Sequence, residues 1–248
     1  MKLSAVSRGC KIRAVSTVFL ACALAGCPTR PPPPPAEVRG APAAPPAVPH
    51  AGKPYDIVPG ESLLTVLVYR AGALAAAGHN HVVASHTLTG TIYVPADVRG
   101  ASFEVHVAVD ALTVDEPQLR AQQGGGDFPP DVSESAREGT RRNMLGPALL
   151  DAADYPEIVL RALGLAPGPV GTPGSLTAQI DSEVRGQHRP IAVPVRYAIA
   201  GDTLEVTGAA ALRQSELGLT PFTALMGALA VQDEMRISFR IVAHAAPR

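Results

Sequence analysis

The chain has 248 residues, a formal net charge of −1 and three cysteines, and its length fits one or two domains. The balanced charge argues against a nucleic-acid-binding protein, which normally carries a basic stripe, and three cysteines cannot make a disulfide framework. No apolar run reaches the roughly 18–20 residues of a membrane-spanning helix, which excludes an integral channel or transporter built from such helices.

Residues 1–26 have the organisation of a secretory signal peptide. Four cations precede an apolar stretch from Ala14 to Ala25, which is too short to span a bilayer. The stretch ends in Leu24-Ala25-Gly26-Cys27, which resembles the lipobox of bacterial lipoproteins. That resemblance implies that Cys27 carries diacylglycerol and a palmitate-type acyl chain and becomes the mature N-terminus. Pro28, in place of aspartate, favours export to the outer membrane. The alternative is an ordinary signal peptide that happens to contain a cysteine.

Residues 27–54 are predicted to be a lipidated cysteine followed by a tether. The segment after Cys27 contains 11 of the 25 prolines, five of them consecutive from Pro31 to Pro35. Such a run favours extended polyproline II at roughly 3.1 Å per residue. A recognition ligand for a proline-binding module is the alternative. Removal of the four leader cations would lower the net charge from −1 to −5 and leave Cys27 as the one cysteine.

Residues 55–248 are predicted to form an all-β domain. Ser102 to Asp110 alternates cleanly between apolar and polar residues, and the segments 176–180, 191–199 and 237–241 do the same. Further strands are expected at 62–69, 86–94, 157–163 and 203–212, with glycine and proline turns between segments. About eight strands, each with one apolar face, predict an antiparallel sandwich or barrel.

Two segments have helical features. Ser133 to Leu150 is mixed in character and is interrupted by Gly139 and Pro147. Thr220 to Leu229 begins with a suitable N-cap and a proline at the first helical position. In that predicted helix the apolar side chains share one surface, which would either pack in the core or close one end of the barrel and contact a ligand: Phe222, Leu225, Met226 and Leu229.

Several motifs together resemble the YceI-like family of periplasmic lipid-binding proteins. They are Tyr55-Asp56-Ile57, Arg142-Asn143-Met144-Leu145, Asp151-Ala152-Ala153-Asp154-Tyr155-Pro156-Glu157-Ile158, and Gln214-Ser215-Glu216-Leu217-Gly218-Leu219. The resemblance covers roughly residues 55–243. It implies an eight-stranded antiparallel lipocalin-like barrel, with one or two short helices, whose apolar interior holds a long isoprenoid chain. Gly78-His79-Asn80-His81 matches a branch of the family with a Gly-His-x-His motif.

His79 and His81 are the clearest candidates for chemistry. Positions two apart in a strand share a face, so both imidazoles would point the same way. Three roles remain open: hydrogen bonds to backbone carbonyls, contact with a polar ligand head, or metal binding, for which a catalytic zinc would need a third protein ligand. No third ligand has a suggestive spacing, and His106 and His188 are the histidine candidates.

Arg142 has two interpretations. It would pair with a ligand phosphate or carboxylate, or it would brace Asp151 or Asp154.

The sequence therefore predicts a non-enzymatic protein without a cofactor, tethered in the bacterial periplasm, that binds an amphipathic isoprenoid-type lipid. The expected ligand contacts are His79, His81, Arg142, Phe222, Leu225 and Met226. Two alternatives remain: a metal-binding protein or metal-dependent enzyme that uses His79 and His81, and a structural or interaction barrel filled by its own side chains. No Gly-x-Ser-x-Gly elbow supports a hydrolase.

Overall fold

The structure is a computed structural model and describes residues 50–124, 126–168 and 174–246. The predicted signal peptide, Cys27 and most of the predicted tether lie outside these residues. The described chain forms two α-helices, α1 (Pro117–Gln122) and α2 (Glu134–Leu145). It also forms twelve strands: β1 (Lys53–Ile57), β2 (Leu63–Ala71), β3 (His81–Ser85), β4 (Thr89–Val94), β5 (Ser102–Ala108), β6 (Thr113–Val114), β7 (Glu157–Pro167), β8 (Ser175–Val184), β9 (Gln187–Ala200), β10 (Thr203–Arg213), β11 (Thr223–Ala224) and β12 (Leu229–Ala245).

Eight of these strands form a closed antiparallel ring. Their order is β1-β4-β5-β7-β8-β9-β10-β12, and β12 returns to β1 through pairs such as Ala245 with Tyr55. Pairing of β1 with β12 closes the ring, so neither strand presents a free edge along their paired residues. The prediction of an eight-stranded antiparallel barrel with short helices is confirmed.

The ring is continuous at one end and splits at the other. β1 and β2 lie along the same edge of β12, with Ile57 opposite Ala243 and Leu63 opposite Arg240. Beyond β1, however, β2 continues to β3 and then β6 instead of to β4. Helix α2 packs against β6 at this second end. We call the two ends of the barrel the β1 end and the α2 end.

Most predicted strands are present, several with longer bounds, and strand β3 was not predicted. The segment expected as a strand at 86–94 contains only β4, and β3 precedes it at His81–Ser85. Strand β3 is buried at four consecutive positions from Val82 to Ser85. Both of its faces are covered, so its sequence lacks the polar and apolar alternation that reveals a strand.

The predicted helix from Thr220 to Leu229 is wrong. Thr223 pairs with Ala230 and Ala224 with Leu229, so the segment is the start of a hairpin. Its turn has positive φ at Leu225 (51°) and at Met226 (55°), values outside the right-handed helical region. The long ladder of β12 with β10 overrides the local helical spacing of the apolar residues.

Helix α2 is shorter than the predicted segment from Ser133 to Leu150. Ser133 is its N-cap, and its hydroxyl oxygen accepts the backbone N–H of Ala136 at 3.3 Å. The helix ends at Leu145, before Gly146 and Pro147. A small apolar cluster lies under α1, where Val82 and Ala84 meet Leu119 and Phe128. No helix in the described ranges is long and apolar enough to cross a membrane.

Candidate ligand-binding site

Two cavities lie inside the barrel and share part of their walls. The first has a volume of about 140 Å³ and the second about 530 Å³. The side chains common to both walls are Leu64, Val107, Leu160, Ile191 and Ile237. We call them the inner and outer chambers, because none of the inner chamber's lining residues is exposed to solvent. The two chambers are therefore neighbours along the barrel, with these five side chains between them.

The inner chamber is entirely apolar apart from one tyrosine. Alternate residues of the ring strands face it, for example Leu176, Ala178 and Ile180 of β8. Gly208 of β10 faces inward too, and its missing side chain leaves room for the ring of Phe239. Successive side chains of a strand point to opposite faces, so the period-two pattern of the sequence builds this wall directly.

The outer chamber adds polar side chains to an apolar wall. Four of its lining residues are exposed and mark where it meets solvent: Arg70, Ala77, His79 and Asn143. We call this opening at the α2 end the mouth. The lining also includes His81, Thr140 and Gln214, but no Asp or Glu. The wall therefore offers hydrogen-bond donors and one fixed positive charge without a carboxylate.

His81 is held in place by a buried carboxylate. Nδ1 of His81 lies 2.7 Å from Oδ2 of Asp115, whose side chain is fully buried. An ionised carboxylate only accepts hydrogen bonds, so Nδ1 of His81 donates here. Nε2 of the same ring lies 3.3 Å from the hydroxyl of Thr140 on α2. The ring is therefore fixed with its Nε2 side toward the chamber wall.

Asp115 belongs to a wider buried network. Its Oδ1 accepts the backbone N–H of Val82 at 2.9 Å and an N–H of Arg120 at 2.7 Å. Burial raises the pKa of Asp115, but hydrogen bonds from His81 and Val82 and the charges of His81 and Arg120 outweigh it, so that pKa lies below its usual value. The carboxylate therefore stays ionised inside the protein.

Asn80, the central residue of His79-Asn80-His81, is a structural anchor. Its side chain accepts the backbone N–H of Arg70 and donates to the carbonyl of Asp127, both at 2.9 Å. Its own carbonyl accepts an N–H of Arg120 at 2.7 Å. These bonds tie the end of β2, the segment before α2 and helix α1 to one point. The two flanking histidines are positioned by this anchor.

His79 and His81 do face the same space. Both line the outer chamber, and their ring centroids are 6.2 Å apart with a tilt of 54° between planes. His79 is exposed and precedes β3, whereas His81 is its first residue. The shared orientation thus arises from a loop and a strand end, and not from a regular strand as predicted.

Of the other predicted ligand contacts, only Phe222 lines a chamber. Phe222 lines the outer chamber, whereas Leu225 and Met226 stand outside it with exposures of 66% and 106%. Arg142 is exposed on α2 and has no hydrogen-bond or ion-pair partner among the described residues. Asp151, one of its expected partners, lies 3.8 Å from Arg185.

The remaining candidate histidines point away from both chambers. His106 lies between two chamber-lining valines of β5 and contacts Glu104 and Glu157 on the outer surface. His188 lies 2.8 Å from Asp181. Across the described ranges, no group of three His, Cys, Asp or Glu side chains is arranged to hold a metal ion.

Sequence reasoning missed Asp115, Arg120 and Thr140. They are distant from His81 along the chain, and none belongs to a motif with a characteristic spacing. Asp115 has a positive φ of 54°, and this departure from regular structure cannot be read from its neighbours. Asn80 is a residue of the network that the sequence places beside the candidate site, because it lies between His79 and His81.

The fold and the site together define a class: an antiparallel lipocalin-like barrel with an apolar internal space and a polar mouth. The sequence profile of the YceI-like domain matches residues 55–243. The chain therefore belongs to the YceI-like family. A comparison with curated proteins found no match.

Solved structures with similar folds come from several bacteria. Burkholderia cenocepacia BcnA has 17% identity and a TM-score of 0.55, over 76% of this chain and 99% of that one. A polyisoprenoid binding domain from Saccharophagus degradans, implicated in plant cell wall breakdown, has 11% identity and a TM-score of 0.49, over 77% and 98%. The Campylobacter jejuni YCEI protein has 6% identity and a TM-score of 0.45, over 64% and 82%. At such identities the first similarity supports the fold alone.

Proposed function

We propose that this protein binds one amphipathic isoprenoid-type lipid inside its barrel, without catalysis, while tethered to the membrane in the bacterial periplasm. The observation that carries the proposal is the internal space: an apolar inner chamber beside a larger chamber whose polar groups lie toward one end. An apolar chain with a polar head has the same distribution of polarity. YceI-like membership is consistent with this ligand class.

The apolar tail would lie against the ring strands. Removing apolar surface from water contributes roughly 25 cal/mol per Å², so a long tail supplies most of the affinity. The outer chamber alone, at about 530 Å³, lies within the roughly 300–1,000 Å³ of typical ligand sites. Because the inner chamber offers no hydrogen-bonding partner except a tyrosine, it suits the end of the tail that is farthest from the head.

The polar head would lie at the mouth. Arg70, His79 and Asn143 are exposed there and present hydrogen-bond donors, while no carboxylate lines the outer chamber. A head that accepts hydrogen bonds, such as a carbonyl or phosphate oxygen, fits these donors better than a cationic head does. Gln214 is partly occupied, since its amide donates to the carbonyl of Gln232 at 2.8 Å.

The membrane tether is part of the proposal and rests on the sequence. The lipobox-like Leu24-Ala25-Gly26-Cys27 follows a basic and then an apolar segment. Acylation of Cys27 with two or more chains would give stable anchoring, because each buried methylene contributes about 0.8 kcal/mol. Pro28 favours the outer membrane as the destination.

The two alternatives have less support. For metal binding, Nδ1 of His81 is already engaged by Asp115, and the described residues bring no third ligand to the pair. For a self-filled barrel, the inward side chains leave two chambers unfilled.

Ligand content tests the proposal directly. The full chain is expressed in a bacterium and purified, and its bound lipid is measured by native mass spectrometry and by solvent extraction. Ala178→Phe places a ring in the inner chamber, and Ala192→Phe makes the same change at an exposed residue on the outer face of β9.

We expect about one isoprenoid-type lipid per wild-type chain, the same content in Ala192→Phe, and a loss or a shift to shorter chains in Ala178→Phe. Absence of any co-purifying or exchangeable isoprenoid in the wild type would count against the proposal. Metal analysis of His79→Ala with His81→Ala tests the first alternative, which requires a metal content that falls in the double variant.

A further inference from the structure

Two loops at the α2 end expose apolar side chains beside the mouth. Leu225 and Met226 occupy the turn between β11 and β12 and are 66% and 106% exposed, and Leu74 on the neighbouring loop is 46% exposed. The backbone N–H of Leu74 donates to the carbonyl of Ala228 at 2.7 Å, so the two loops are joined. We call these three residues the apolar tip.

The apolar tip borders the cavity. Ala77, Gly78 and His79 of the loop that holds Leu74 line the outer chamber, and so do Phe222 and Leu229 on either side of the other loop. A surface that contacts the tip is therefore adjacent to the opening through which a ligand would pass.

The backbone of the turn costs free energy to present these side chains. Leu225 and Met226 both have left-handed φ values, of 51° and 55°. L-residues with a large side chain rarely adopt this conformation, because the Cβ atom approaches the following carbonyl oxygen. Glycine or asparagine would adopt it more readily, yet the turn carries two large apolar residues. Packing within the domain does not account for Met226, because its side chain is fully exposed.

The chain outside the structure suggests which surface meets the tip. β1 and β2 run from the β1 end toward the mouth, so His50 lies at the end of the barrel opposite the tip. Cys27 and His50 are 23 positions apart, so the segment between them could reach at most roughly 70 Å if it were extended at about 3.1 Å per residue. The 17 residues of β12 are about 56 Å long, and this length is an upper limit for the height of the barrel, because tilt shortens a strand's projection on the barrel axis. Because this reach exceeds the height of the barrel, a chain anchored through a lipid on Cys27 could place the α2 end, with the apolar tip, against the same membrane.

We infer that the apolar tip docks on the phospholipid bilayer to which the chain is tethered, so that the mouth opens against the membrane and lipid enters or leaves there. This inference rests on the proposed lipid binding and lipid anchor. Three apolar side chains give shallow, reversible contact, which suits repeated docking of a tethered domain.

Tryptophan fluorescence tests the docking, because the chain contains no tryptophan. Met226→Trp places one reporter at the tip. Ile199→Trp places one at a residue with 45% exposure at the β1 end and serves as the matched control. The full chains are reconstituted into vesicles of phosphatidylethanolamine and phosphatidylglycerol in equal amounts, with and without brominated acyl chains.

We expect brominated lipid to quench the fluorescence of the tryptophan at position 226 and to leave that at position 199 largely unchanged. Equal quenching at both positions would overturn the inference. So would an unquenched reporter at position 226, and sedimentation of that chain as a dimer would then indicate that a second copy covers the tip.

Lipid transfer separates docking from binding. Leu225→Gln with Met226→Gln should slow transfer of bound lipid to vesicles by about tenfold or more relative to Ile199→Gln, while lipid content per chain stays equal. Equal transfer rates would contradict docking at the tip. If no variant carries lipid, the proposed function fails, and the quenching experiment still decides whether the tip meets the membrane.

Discussion

The two chambers share one barrel and five wall residues but are built from different parts of the chain. The inner chamber is walled mainly by strands of the ring, with Leu64 of β2 and loop residues such as Leu88 and Val98, and it is apolar except for Tyr197. The outer chamber takes its polar groups from the end of β2, the loop before β3, α2 and the segment after β10. Alternation along a strand therefore suffices to build an apolar wall, whereas a polar site requires elements that meet only in the fold.

The two ends of the barrel also differ in the burial of their ion pairs. At the α2 end, Asp115 and Arg120 form an ion pair that is almost completely buried. At the β1 end, Lys53 and Asp202 form a pair at the same 2.7 Å distance with both side chains exposed. Water screens the second pair and not the first, so equal distances do not mean equal contributions to stability.

The largest effect is expected from Asp115→Asn. The change keeps the shape of the side chain but leaves the Arg120 charge buried without its partner, which costs about 3–5 kcal/mol of unfolding free energy. Asp202→Asn is the control and should leave the urea midpoint unchanged. Urea denaturation with constant m-values measures both. Equal urea midpoints for the two variants would show that the buried ion pair at the α2 end contributes no more to stability than the exposed pair at the β1 end.

The stability difference between the wild type and Asp115→Asn should depend on pH. The pKa of Asp115 is lowered in the folded state, so its stabilising contribution is present above the ordinary value of 3.8 and is lost as pH falls through the lowered folded value. The difference between wild type and Asp115→Asn should therefore be largest near neutral pH and shrink below about pH 4. A difference that grows on acidification would contradict this assignment.

The second largest effect is expected from a substitution in the wall of the inner chamber. Ala178→Phe adds a ring to a wall residue that is 2% exposed and should cost about 1–3 kcal/mol through overpacking. It should also weaken binding of long isoprenoid chains more than short ones, because the far end of the space is filled. Competition between chain lengths checks this, with Ala192→Phe as the control. Uniform weakening at all lengths would mean that the tail does not reach this chamber.

A smaller effect is expected at the mouth. His79→Ala removes a polar contact to the head and should lower lipid affinity about three- to tenfold, as expected for one hydrogen bond. His86→Ala is the control, since His86 is also exposed but contacts Glu116 away from both chambers. Fluorescence titration with a labelled lipid measures the two affinities. Identical affinities in both variants would exclude His79 from the head site.

The smallest effect is expected on the outer surface. Arg161 donates to Glu104 at 2.8 Å and to Glu183 at 2.7 Å, but all three side chains are partly exposed. Arg161→Met should therefore change the unfolding free energy by less than about 1 kcal/mol. Thermal unfolding of this variant beside Asp115→Asn checks the ranking. A loss as large as that of Asp115→Asn would show that exposure does not decide these contributions.

Local patterns predicted much of the fold and only part of the site. Period-two alternation located most ring strands, because an inward face is apolar and an outward face is wet. The apolar spacing of three and four around Leu225 predicts a helix, because pairing with distant strands cannot be read from that segment. The sequence indicates the histidine pair, but it does not indicate Asp115, which orients His81.

Beyond the barrel that the family resemblance implied, the sequence by itself determined the antiparallel β class, the strand faces that wall the inner chamber and the two histidines as candidates. These features depend on residues within a few positions of one another, where side-chain direction follows from backbone geometry. Only the tertiary structure decided the split at the α2 end, the buried Asp115–Arg120 pair beneath His81, and the exposure of Leu225 and Met226. Each of these depends on contacts between segments far apart in the chain, whose meeting no local pattern encodes.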